Sequence, residues 1–134
     1  MIIETEILLR IVVAAIAGGL IGFERRVVHK PAGLRTLMLV GMGAALFVIV
    51  TVGTIPDQAA RIIAGIATGV GFLGAGAIFR SEDHIKGLTT AASIWATAAI
   101  GIAAGLGEYV LVVVVTILVV LVLQLNKIEY FREL

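Results

Sequence analysis

The stretch Gly69-Val-Gly-Phe-Leu-Gly-Ala-Gly76, "GVGFLGAG", admits two opposite readings. Its Gly69-x-Gly71-x-x-Gly74 spacing is that of a dinucleotide-binding turn, and its small residues are those of a close-packed membrane helix. A dinucleotide turn follows a strand, opens a helix and is answered by an acid about 20 residues on. Here the glycines lie inside an apolar run, and the next acids, Glu82 and Asp83, come too early. The Gly-Lys-Ser/Thr of a phosphate loop is absent. The membrane reading fits: Gly65, Gly69, Phe72 and Gly76 recur at helical spacing on one face, and small residues let helices approach closely in lipid.

The surrounding chain supports a lipid environment. Of 134 residues, 60% are hydrophobic and 14% charged, against about 45–50% and about 25% in soluble domains. Five apolar runs stand out, at about 7–23, 37–55, 62–79, 88–106 and 109–125. Each approaches the roughly 17–25 residues that a helix needs to cross a bilayer, and an open sheet edge finds no partner in lipid. The sequence therefore predicts an all-α polytopic membrane protein: one domain over 1–134 with five transmembrane helices and short links.

Lysine and arginine orient it. With the Glu24–Arg35 loop in the cytoplasm, Arg25, Arg26, Lys30, Arg35, Arg80, Lys86, Lys127 and Arg132 all fall inside, leaving Arg10 and Arg61 outside. The N-terminus is then outside and the C-terminus cytoplasmic. Arg10 is expected to snorkel outward. Asp57 and Arg61, four apart, are expected to form a first-turn ion pair.

Glycine stripes suggest the packing. Gly18 and Gly22 line the first helix. Gly65, Gly69, Gly71, Gly74 and Gly76 crowd the third, which is expected to be central. Gly101 and Gly105 mark the fourth. The fifth, "YVLVVVVTILVVLVLQL", has neither glycine nor alanine and reads as peripheral. Trp95 reads as a packing residue. An offset of 54 residues matches "GLRT" (33–36) to "GLTT" (87–90), suggesting a parallel repeat of helices 1–2 and 3–4.

Function classes narrow by chemistry. A net charge of +1 and no basic, aromatic-interleaved segment argue against nucleic acid. The absence of cysteine removes disulfides and thiolate metal sites. His29 and His84 are isolated loop residues without metal-ligand spacing. No nucleophile–base pair or paired carboxylates appear, so neither an enzyme nor a cofactor or metal site is expected.

The polar candidates gather at the cytoplasmic rim: Glu24, Arg25, Arg35, Thr36, Thr89 and Thr90, with Asp57 and Arg61 at the other end. Two helix N-termini, at Arg35–Thr36 and Thr89–Thr90, are expected to converge into an anion site. Glu24 is expected to hold Arg35 as an ion pair. Against this stand N-capping by the threonines and headgroup contact by the arginines.

At "GGLIGFERR", "KPAGLRT", "RIIAGIATGVGFLGAGAIF" and "GLTTAASIWATAAIGIAAGLG", the chain resembles the MgtC/SapB family of bacterial membrane proteins, from about Arg10 to Leu125. The resemblance implies an inner-membrane bundle of about five helices, linked to adaptation to low magnesium, acid stress and intracellular survival. It also implies a regulator acting through other membrane proteins. The matching motif residues are Gly22, Glu24, Arg25, Gly33, Leu34, Arg35, Thr36, Arg61, Gly71, Gly74, Gly76, Gly87, Leu88, Thr89, Thr90 and Trp95. Three functions compete: a non-enzymatic regulator or adaptor, a small ion or solute transporter, and an anion- or phospholipid-headgroup-binding protein. The expected partners are the bilayer, a second copy in a homodimer, and another membrane protein.

Overall fold

The apolar runs fold into five helices in a computed structural model that describes residues 2–128. They are α1 (Ile2–Val27), α2 (Leu34–Thr54), α3 (Ala59–Ala75), α4 (Leu88–Gly105) and α5 (Tyr109–Gln124). Single turns of 3-10 helix cover Pro56–Gln58 and Leu125–Lys127. Each helix, counted with such a turn where one adjoins it, is long and apolar enough to span a membrane. The protein is thus an all-helical polytopic membrane protein. Arg132 lies outside the described residues.

The helix ends follow from local chemistry. His29 takes a left-handed backbone (φ 56°) just beyond α1. The Lys30 N–H returns to the Arg25 carbonyl and the His29 N–H to Arg26, which satisfies carbonyls that a helix end otherwise leaves free. The α4 end repeats the device: Gly107 (φ 81°) turns the chain, and Glu108 and Gly107 donate to Ala103 and Ala104.

The third run departs from expectation. Its helix stops at Ala75 rather than reaching Phe79, and a small hairpin follows. Strands β1 (Phe79–Arg80) and β2 (Ile85–Lys86) pair antiparallel, closed by reciprocal Ser81–His84 backbone bonds. Gly87 then starts α4 at φ 91°. A side chain there would overlap the Ala77 carbonyl, so both the angle and the space require glycine.

The basic turns 28–33 and 76–87 share one end of the bundle, here the basic end. The turns 55–58 and 106–108 share the opposite end. The starts of α2 and α4, at Leu34 and Leu88, keep the 54-residue offset. The hairpin between α3 and α4 has no counterpart between α1 and α2.

The expectation of a central third helix is wrong. The centre is α4, which packs on α1, α2, α3 and α5 and has the most buried face. Its seam with α2 runs through Gly101 and Gly105. A methyl on Gly105 would stand 2.7 Å from the Ala45 carbonyl oxygen, and one on Gly101 would overlap that of Gly41. The α1–α2 seam runs through Gly18 and Gly22 against Leu37 and Leu34, and through Gly41 against Ala14. By contrast, nothing lies within 4 Å of a methyl placed on Gly65, Gly69 or Gly71. Gly74 meets only Ala91, at ordinary contact distance, and Gly76 meets its own helix at Leu73. Glycine content misleads here because it records small volume, not which face has a neighbour. Trp95 is likewise 55% exposed rather than packed in the core. Helix α5 is peripheral, as expected, burying Val112, Thr116 and Leu123.

Candidate functional site

Three polar features stand out against the apolar bundle, and the first is a buried cluster at the basic end. Glu24 and Arg25, at the last turn of α1, are 6% and 3% exposed. Neighbours on a helix point about 100° apart, so the two side chains diverge. Arg25 turns to α4, where its Nη2 donates to Thr90 Oγ1 at 3.4 Å. Glu24 lines a cleft between α1 and α5. Arg25 Nη1 and Glu24 Oε2 are 3.7 Å apart, close enough for charge attraction but too far for a hydrogen bond. Neither Glu24 oxygen has a hydrogen-bond partner, nor does Arg25 Nε. A buried ion pair with unmet hydrogen-bonding capacity costs stability, and ionisable groups at membrane depth are functional candidates by default.

Below Thr90, α4 carries Ser93 and Thr97, also buried. The spacing 90, 93, 97 puts all three on one helix face. Ser93 Oγ donates to the Thr90 carbonyl and Thr97 Oγ1 to the Ser93 carbonyl, both at 2.7 Å. The hydroxyls thus satisfy themselves within the helix, and this stripe marks the inward face of α4.

Several predicted site residues do not join this cluster. Arg35 and Thr36 are exposed, as is Thr89. The expected Glu24–Arg35 pair is absent, and Arg25 takes the place of Arg35. Nor do the two helix starts converge. Gly101 lies against Gly41 and Gly105 against Ala45, one common offset of 60 residues. Leu34, the first residue of α2, therefore stands level with Ile94, six residues or about 9 Å along α4. Neither helix has a side-chain cap: Gly33 and Gly87 occupy the N-cap positions.

The opposite end holds a clamp. Arg10 Nε donates to Glu6 Oε1 at 3.1 Å, Arg10 Nη1 donates to the Gly105 carbonyl at 2.9 Å, and the Tyr109 hydroxyl donates to Glu6 Oε1 at 2.6 Å. Arg10 therefore does not snorkel outward. It places a cation on the C-terminus of α4, where the helix dipole favours one, and ties α1 to the α4–α5 turn. Asp57 and Arg61 are exposed and no ion pair joins them. Pro56 opens a 3-10 turn that puts Asp57 before α3 begins, so the assumed i,i+4 helical geometry is not continuous.

The third feature is a groove of about 470 Å³ between α2 and α3. Its walls are apolar, Gly43, Gly65 and Gly69 leave it open, and Arg61 stands at its end. Among the described residues, no three His, Cys, Asp or Glu side chains are grouped as metal ligands.

Sequence reasoning found Glu24, Arg25 and Thr90 but missed Ser93, Thr97, Thr116, Gly41 and the Glu6–Arg10–Tyr109 clamp. The hydroxyl spacing on α4 was the available signal. Within the clamp only the i,i+4 spacing of Glu6 and Arg10 was a local signal; the contacts to Gly105 and Tyr109 span about 100 positions and left none.

Fold and polar features together define a polytopic helical membrane protein with a buried charge pair at one end. The chain belongs to the MgtC family, whose description matches residues 11–130. It is 46% identical over 136 residues to YhiD of Escherichia coli (strain K12), whose name proposes a magnesium transporter. That match covers 95% of this chain and 63% of YhiD. It is 44% identical to the protein MgtC of Salmonella typhimurium, over 84% of this chain and 48% of that one. The protein MgtC of Brucella abortus is also 44% identical, over 81% and 46%. The chain thus spans about half to two thirds of the length of these relatives. No solved structure matches.

Proposed function

We propose that this chain is a non-enzymatic regulator of the bacterial inner membrane that works by docking helix against helix. It serves the adaptation to low magnesium, acid or host stress associated with its family. The basic end faces the cytoplasm, following the lysine and arginine bias, and the N-terminus lies outside.

The observation that carries this reading is the contrast between two sets of glycines. Gly18, Gly22, Gly41, Gly101 and Gly105 press against the backbone of a neighbouring helix, whereas Gly43, Gly65 and Gly69 face open space along the α2–α3 groove. In lipid, small residues stabilise association only where a second surface packs on them. The occupant that fits is a second copy of this chain. Arg61 lines the groove, and Asp57, one turn earlier in the chain, is exposed as well. Across a two-fold axis, Arg61 of each copy meets Asp57 of the other, the reciprocity that an isologous interface requires.

A Gly69→Leu variant tests the function. The side chain enters open space, so the protein folds and inserts but the groove is filled. A strain dependent on this protein should then grow poorly in low magnesium. Growth equal to wild type would contradict docking through this face.

A second reading, a small ion or solute transporter, draws on the name of YhiD. A magnesium path needs several oxygen ligands together, and among the described residues the acids are dispersed. Magnesium uptake by liposomes holding only this chain would favour it over the regulator.

A further inference from the structure

The cleft between α1 and α5 at the basic end holds two buried oxygens for which the helix packing provides no partner. Glu24 Oε1 has neither a hydrogen bond nor an ion pair within reach, and Thr116 Oγ1, on a residue 5% exposed, has no partner either. Both residues line one cavity of about 440 Å³. Buried polar atoms are nearly always satisfied, and leaving one unmet costs more when the group is charged.

The rest of the cavity narrows what could satisfy them. Leu20, Phe23, Ile117 and Leu121 form walls open to the side, each more than half exposed. Gln124 and Lys127 stand at the end of the cleft where α5 finishes. The site thus combines, among its lining residues, a carboxylate and a hydroxyl whose oxygens lie just beneath the surface, a lysine, and apolar walls facing lipid. Among the described residues, a bare metal ion would find one carboxylate, with a guanidinium 3.7 Å from it, and no second anionic ligand. A soluble anion would meet Glu24. An anionic lipid would pair with Lys127 but leave the carboxylate without a donor.

We infer that this cleft binds a zwitterionic phospholipid carrying a primary ammonium. The ammonium donates to Glu24 Oε1 and the Thr116 hydroxyl, the phosphate pairs with Lys127, and an acyl chain lies between Phe23 and Leu121. A primary ammonium offers three N–H donors. A choline headgroup has the same charge and no N–H donor, so it cannot satisfy these oxygens.

Native mass spectrometry of the full chain tests the inference. The chain would be released from vesicles containing equal parts phosphatidylethanolamine, phosphatidylcholine and phosphatidylglycerol. Wild type should retain phosphatidylethanolamine over each of the others by about tenfold or more, as a charge-assisted hydrogen bond implies. Glu24→Gln should erase that preference, and Lys127→Ala should weaken retention of phosphatidylethanolamine. Thr116→Val, which keeps shape and removes only the hydroxyl, should reduce the preference in a protein that remains folded. Equal retention of the three lipids by wild type would overturn the inference. So would preference for phosphatidylglycerol, or an undiminished preference for phosphatidylethanolamine in Glu24→Gln.

Discussion

Replacing Gly101 by alanine tests the placement of α4 at the centre. The added methyl would stand 2.9 Å from Ala44 Cβ and 3.1 Å from the Gly41 carbonyl carbon, and would overlap the Gly41 oxygen. Ordinary contact begins near 3.4 Å, so α2 and α4 must part by about 0.5–1 Å. A gap of that size forfeits a quarter to a half of each dispersion well of about 0.1–0.2 kcal/mol. Over on the order of 40 atom pairs along the seam, the loss is about 2 kcal/mol. Alanine recovers about 1 kcal/mol of helix propensity, leaving a net destabilisation of about 1 kcal/mol, at the lower end of measured overpacking costs. Gly71→Ala, away from the α2–α3 groove, meets nothing within 4 Å, so only the propensity gain of up to about 1 kcal/mol remains. The two variants should move stability in opposite directions, about 2 kcal/mol apart, or roughly 30-fold in the unfolding equilibrium. Unfolding by SDS titration in mixed micelles reads this directly. Shifts of the same sign and size would refute the α4-centred packing.

Three further outcomes follow from the polar contacts. Arg25→Leu leaves the buried Glu24 carboxylate without its cation and should destabilise by about 3–5 kcal/mol, whereas Arg35→Lys, at an exposed position, should unfold like wild type in the same titration. Combining Glu24→Gln with Arg25→Leu should cost less than the sum of the single changes, because contacting charges couple. At the other end, Tyr109→Phe removes one hydrogen bond to Glu6 and should cost about 1 kcal/mol, and the loss should shrink once Arg10 is also replaced, as a double-mutant cycle would record.

Much of this fold was legible because lipid imposes a simple rule. Apolar runs of this length had to be helices, and α2, α4 and α5 lie within three residues of their expected bounds, while α1 extends five residues earlier and four later. Helix α3 ended four residues early, since nothing in the apolar Ile78–Phe79 pair announces a strand rather than another helical turn. The arrangement of the helices was harder to read. Five glycines made α3 look central, yet the α2–α4 seam forms where glycine on one helix meets alanine or glycine on the other, as Gly101 meets Gly41 and Ala44. That pairing is tertiary information. The Thr90–Ser93–Thr97 stripe carried a local clue, because polar side chains on a membrane helix turn inward. The partner of Glu24 was out of reach: choosing Arg25 over Arg35 depends on how the start of α2 packs on α1, with Gly22 against Leu34, a register that only packing fixes.

Disulfide trapping at the α3 face tests the central claim most directly, and the absence of cysteine from the chain makes single-cysteine variants clean probes. Gly69→Cys should give a disulfide-linked dimer in native membranes under mild oxidation, since two small-residue faces in contact bring Cα atoms within the roughly 7 Å that a disulfide allows. Leu118→Cys, on the lipid-facing side of α5 and 53% exposed, should remain monomeric. A Gly69→Cys protein that stays monomeric, crosslinks no better than Leu118→Cys, or is trapped instead with a different protein would contradict self-association through this face.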